Sequence, residues 1–170
     1  MKDIINLYPL SNYLQTSHHI KEVIYALDKL HDEIFKKQRT PLEVLKTDVP
    51  FPLSDSLINL ATNDYKIDLN SSIDAEMFFT ELREQIAQLP ILTITVAEAP
   101  TLDLVKQIND WVIANVKGFA ATDFVIEKSL IGGAIIDFKG KTRDHTIKKL
   151  ITGVSTLKDA SIKVISGMPT

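Results

Sequence analysis

At Pro90 the hydrophobic pattern changes period, and that change divides the chain. Before it, apolar residues recur at three- and four-residue steps; after it, Leu92, Ile94 and Val96 alternate with Thr93, Thr95 and Ala97. The first spacing lays a stripe along an α-helix and the second lays a row on one face of a β-strand, so one kind of element cannot carry both. The expectation is an α+β protein. It has an N-terminal helical bundle over residues 1–90, a small β-α-β-β-α domain over 91–153 and a C-terminal tail over 154–170.

In the first half, Ile20, Val23, Ile24, Leu27, Leu30, Ile34 and Phe35 predict an amphipathic helix over residues 18–37, with Ser17 as N-cap. Pro41 ends it, because proline disfavours helical geometry in the residue before it. A short helix is expected over 42–46. After the breaker Asp48-Val49-Pro50-Phe51-Pro52, Ser54 is expected to cap a helix over 55–61, and 63–70 reads as loop. Ser72 opens a fourth helix with Asp74 and Glu76 in its first turn and Ile73, Met77, Leu82, Ile86 and Leu89 as its buried stripe.

In the second half, Thr101 is placed to cap a helix whose broad apolar face holds Leu104, Val105, Ile108, Trp111, Val112 and Val116, with Lys117-Gly118 closing it against a sheet. Residues 120–127 and 131–138, rich in Ile, Val and Phe, predict two strands joined as a hairpin through Lys128-Ser129-Leu130. Lys139-Gly140-Lys141 makes a turn. Asp144 then caps a last helix burying Ile147, Leu150, Ile151 and Val154, and a weak strand signal follows at Ile162 to Ile165.

Composition narrows the function classes. With 19 Lys+Arg against 22 Asp+Glu the formal charge is -3, which argues against nucleic-acid binding through bulk basicity. The absence of cysteine removes disulfides, thiol nucleophiles and thiolate metal sites. Asp3 and Asn6 break the opening apolar residues, so no secretory signal is read there, and no run approaches the ~20 apolar residues of a membrane span.

Catalytic and metal chemistry have little support in the residues. His18, His19, His31 and His145 show no metal-site spacing, and Ser129 lacks the flanking glycines of a nucleophile elbow. No catalytic, cofactor-binding or metal-ligating residue is therefore assigned. Gly132-Gly133 lacks the Lys-Ser/Thr of a P-loop and reads as a bulge or a close backbone approach, with anion binding by its amides as the other possibility. Lys139, Lys141, Arg143, His145, Lys148 and Lys149 form the one basic concentration. It reads as a solvated turn and helix end, or as a docking face for an acidic partner.

The segment from Asp123 to Ile136, containing Ser129-Leu130-Ile131-Gly132-Gly133, followed by Gly140 and by Asp144-His145-Thr146, resembles the C-terminal signature of the ATP synthase delta subunit family. Its mitochondrial counterpart is the oligomycin-sensitivity-conferring protein. In that family Ser-Leu-Ile-Gly-Gly leads into a strand, a glycine turn follows, and Asp-Gly-Ser opens the last helix. Here His145 stands where the family has glycine, Lys148-Lys149 replaces an arginine-rich start, and a longer tail follows Ile151. The resemblance covers residues 92–151. Tyr25-Ala26-Leu27 is also similar to part of the family's first helix, although the family's bundle has six helices and four are read here.

The resemblance implies a non-catalytic stator subunit of the peripheral stalk of a rotary ATP synthase, at the cytoplasmic face of the membrane. The helical half would bind the alpha subunits of the catalytic head, and the C-terminal domain would bind the b subunit of the stalk. Ser129, Leu130, Ile131, Gly132, Gly133, Gly140, Asp144 and Thr146 would be its structural motif, with no cofactor and no nucleic acid. The alternatives are an E-type stalk subunit of an archaeal or vacuolar-type ATPase, or a small anion- or nucleotide-binding α/β module using Gly132-Gly133.

Overall fold

The computed structural model describes residues 4–36, 39–116 and 119–149. Its order is five α-helices and four strands: α1 (Ser17–Lys36), α2 (Pro41–Asp48), α3 (Leu53–Asn59), α4 (Ser72–Ala87), β1 (Ile91–Val96), α5 (Leu102–Asn115), β2 (Ala121–Ile126), β3 (Ala134–Phe138) and β4 (Lys141–Asp144). Four helices precede the first strand, and the class is α+β. The chain divides into two compact units. One takes the chain to Ile91 together with Asn109–Ala121, and the other takes Leu92–Ile108 and the residues from Thr122 on.

The helical unit forms around α1, which packs against α4 and α2. Ile20, Val23, Ala26, Leu27, Leu30 and Ile34 are buried on one side of α1, as the stripe predicts. Phe35, expected in the stripe, is exposed because Ile34 occupies the inward position beside it. The cap is Thr16 rather than Ser17: the His19 amide donates to Thr16 Oγ1 at 3.2 Å. A 3-10 turn over Tyr8–Tyr13 precedes α1, and Ile5, Leu7, Leu10 and Leu14 join the core there. The Ile5 amide donates to Gln85 Oε1 and the Asn6 amide to Tyr65 Oη, fastening this segment to the helices.

α2 opens on a full capping box. Thr40 Oγ1 accepts from the Glu43 amide while the Glu43 carboxylate accepts from the Thr40 amide, and Pro41 needs no partner for the N–H it lacks. Arg39 then reaches Asp48 at 2.8 Å and Glu33 at 2.7 Å, tying the end of α2 to the end of α1. The Arg39 guanidinium, helped by the Thr47 hydroxyl, holds the Asp48 carboxyl well below the usual carboxylate range.

Ser54 is buried inside α3 and does not cap it; the helix starts two residues earlier than expected, after Pro52. The chain continues past Asn59 as a π-helical turn, Leu60–Asp64, in which the Tyr65 amide donates to the Leu60 carbonyl. Sequence periodicity cannot register that widening, so Asn63 and Asp64 read as loop. On α4, Ser71 caps, and Ala75, Phe78, Phe79, Leu82 and Ile86 face the core. Ile73 and Met77, expected in the stripe, lie exposed, since the adjacent phenylalanines turn their own side of the helix inward. Arg83 on α4 bonds Asp28 on α1.

The sheet has the order β2-β1-β3-β4. The Ala121 amide donates to the Pro90 carbonyl and the Glu127 amide to the Val96 carbonyl, pairs of equal sequence separation, so β1 and β2 run parallel. A parallel pair needs a crossover, and the segment containing α5 supplies it. β3 runs antiparallel to β1 on its other edge, with Ile94 opposite Ile136. The expected hairpin between residues 120–127 and 131–138 is therefore overturned. Pairing on both edges satisfies the backbone of β1, whose Leu92 and Ile94 are the buried row, and the connection from β2 passes to its far side.

The hairpin lies one connection later. β3 and β4 are antiparallel with Phe138 opposite Lys141, leaving Lys139 and Gly140 as a two-residue turn with φ of 52° and 72°. β4, Lys-Thr-Arg-Asp, lies where only a turn and a helix cap were expected. Along α5, Thr101 caps as expected, accepting from the Leu104 amide. The inward face is narrower than expected: Val112 is buried, while Leu104 and Trp111 are exposed and the polar Asn109 is buried. Ile147, expected to be buried, is 42% exposed; the expected closure at Lys117-Gly118, the positions Leu150, Ile151 and Val154, and the strand signal at 162–165 lie outside the described residues.

Leu82 is fully buried on α4. Leu82→Ala should destabilise the protein by about 2–5 kcal/mol. Exposed Met77→Ala on the same helix should change stability by less than about 0.5 kcal/mol. Urea unfolding of both variants checks this.

Candidate functional site

The motif residues fall in the sheet unit, and the fold brings two separated stretches of them together. After β2, the Leu130 amide donates to the Glu127 carbonyl at 3.1 Å and the Ser129 amide to Glu127 Oε1 at 3.1 Å. The Ser129 hydroxyl and amide together lower the Glu127 pKa. Ser129 thus fixes the turn that leaves β2, while Ile131 is exposed.

Gly133 is the point of closest approach. Its φ is +83°, and a Cβ built there would come within 2.8 Å of Thr146 Cα and still closer to the His145 carbonyl oxygen. Both are backbone atoms that cannot swing aside. Two hydrogen bonds bracket the contact: the His145 amide donates to the Ala134 carbonyl at 2.8 Å, and the Ile147 amide to the Gly132 carbonyl at 3.1 Å. The strand entry and the Asp144-His145-Thr146 segment therefore form one junction. The close backbone approach expected at Gly132-Gly133 is present at Gly133.

Asp144 and Thr146 share the work expected of Asp144 alone. Asp144 belongs to β4 and its Oδ1 accepts from the Thr146 amide at 2.9 Å, while Thr146 Oγ1 accepts from the Lys149 amide at 3.4 Å. Thr146, buried at 4% exposure, is thus the residue that caps the helical turn starting at Ile147. The Thr146 amide, then its hydroxyl, lower the Asp144 pKa. Gly140 stands apart from the junction, at the tip of the β3–β4 hairpin, with open space around it.

The arrangement is structural in character: hydrogen-bonded backbone, one buried hydroxyl and one anchored carboxylate. His18, His19 and His31 lie on α1, and His145 follows β4. Among the described residues no group of three or more His, Asp and Glu is placed to hold a metal ion, and no described helix is long and apolar enough to cross a membrane.

The helical unit has its own surface feature, which sequence reasoning missed. A groove of about 710 Å³ is lined by Tyr13, Tyr25, Pro50, Phe51, Pro52 and Leu53, with Lys21 and Lys29 among its charged residues. Tyr25 is 72% exposed and Phe51 82%. The signal available in sequence was Phe51 between two prolines, a residue that neither helix could bury.

No protein-family model matches the chain, and no curated protein matches it.

Replacing Gly133 by alanine combines left-handed strain with a backbone collision and should destabilise by about 2–5 kcal/mol. Gly140→Ala carries the strain alone and should cost about 1–2 kcal/mol. Equilibrium denaturation of the two variants gives the comparison. Equal losses would contradict the packing role of Gly133.

Proposed function

We propose that the chain is a delta-type stator subunit of a rotary ATP synthase, a non-catalytic peripheral protein at the cytoplasmic face of the membrane complex. The observation that carries the reading is the Gly133 junction. The two stretches that resemble the delta family, Ser129 to Gly133 and Asp144 to Thr146, pack on each other through a contact only glycine allows. A shared motif whose parts interlock supports a shared domain better than either stretch alone.

Order and surface support it as well. A helical unit is followed by a small sheet domain, the arrangement the resemblance implies. A stator transmits torque through protein interfaces and needs no reacting group. Interfaces of that kind draw on aromatic side chains at their core, and Tyr25 and Phe51 offer such area on the helical unit. In this reading the helical unit binds the alpha subunits and the sheet domain binds the b subunit, coupling proton transport to ATP synthesis by holding the head still.

The tagged full chain should co-purify alpha, beta and b subunits from mildly solubilised membranes, with mass spectrometry as the readout. A Tyr25→Glu/Phe51→Glu variant, altered only at exposed positions, should lose alpha and beta while keeping b. Recovery of archaeal or vacuolar-type stalk partners would assign the rival stator. Recovery of no ATPase subunit from cells that assemble the complex would overturn the proposal.

A further inference from the structure

β4 is the last strand in the sheet order, and its hydrogen-bond phase can be read residue by residue. The two-residue turn closes on Phe138 and Lys141, and the His145 amide donates to the Ala134 carbonyl at 2.8 Å. Bonded pairs alternate along an antiparallel ladder, so Lys141, Arg143 and His145 turn their amides and carbonyls toward β3. Those of Thr142 and Asp144 point the other way, off the edge of the sheet. Among the described residues no backbone bond to either outward amide is present.

The side chains divide by the same alternation. Thr142 and Asp144 lie on one face and are engaged, Thr142 Oγ1 donating to Asp137 Oδ2 at 2.6 Å and Asp144 accepting from the Thr146 amide. Lys141 and Arg143 lie together on the opposite face, exposed, with Lys139 at the adjoining turn. None of these three cations forms an ion pair within the described residues.

We propose that the outer edge of β4 docks an extended acidic segment of another protein, which joins the sheet as a fifth strand. Backbone amides and carbonyls at Thr142 and Asp144 supply the ladder, and Lys141 and Arg143 select alternating carboxylates on the incoming strand. The same charges exclude a second copy, because antiparallel β4–β4 pairing would set the two Lys141-Arg143 rows against each other. The proposal does not depend on the stator reading.

The test uses the full chain, labelled for amide NMR, and a capped hexapeptide alternating glutamate and valine. Binding should shift the Thr142 and Asp144 amide signals and slow their hydrogen exchange. N-methylating the peptide at alternate positions should weaken binding at least about tenfold by removing ladder donors. The pair K141E/R143E should lose the glutamate peptide and gain its lysine counterpart. Binding indifferent to N-methylation, shifts confined to other residues, no binding at millimolar peptide, or Thr142 and Asp144 amides already protected in the free chain would each overturn the proposal. In those cases the cations serve only to keep the edge unpaired.

Discussion

Hydrogen bonding on both edges of β1 is the constraint from which the sheet unit follows. A strand that pairs on one edge leaves a row of amides and carbonyls to water; β1 leaves neither row, with β2 on one side and β3 on the other. The parallel pairing with β2 requires the crossover containing α5. The antiparallel pairing with β3 then requires the chain to pass from one side of β1 to the other, through the connection that carries Ser129 to Gly133. Gly133 lies where that connection enters β3, against the chain leaving β4.

The motif residues acquire their meaning from that geometry. Ser129 sets the exit from β2 through Glu127, Gly133 admits the backbone of His145 and Thr146, and Asp144 and Thr146 start the following helical turn. Each acts on the backbone of another. A domain held this way suits the proposed role, which is to resist displacement rather than to transform a ligand. The helical unit is held together differently, by burying leucines of α1, α3 and α4 and by tying helix ends through Arg39.

What the sequence made legible was local. The period change at Pro90, the α1 stripe, the alternation of β1 and the turn at Gly140 all follow from neighbours within a few residues. Strand partners did not follow, because Ile, Val and Phe mark a strand without saying which edge it meets, and the nearest strand was wrongly paired with β3. β4 was invisible for a different reason: Lys-Thr-Arg-Asp has no apolar row, since it forms an exposed edge. Ile73, Met77 and Trp111 read inward on hydrophobicity alone and Asn109 reads outward, yet packing rather than residue type fixes the rotation of α4 and α5. The capping box at Thr40 and Glu43 is a local signal, three residues apart, that the sequence carries in full. The Gly133 contact was readable only in kind: two adjacent glycines before a strand signal a close approach, and the fold names its partner.

In the proposed role this chain holds a rotary catalytic head against its own torque. Depleting it from its own cells and assaying membrane vesicles for ATP-driven proton pumping alongside ATP hydrolysis tests that most directly. Pumping should be lost while the head still hydrolyses ATP, and should return when the purified chain is added back. Vesicles that pump normally without the chain would contradict that role.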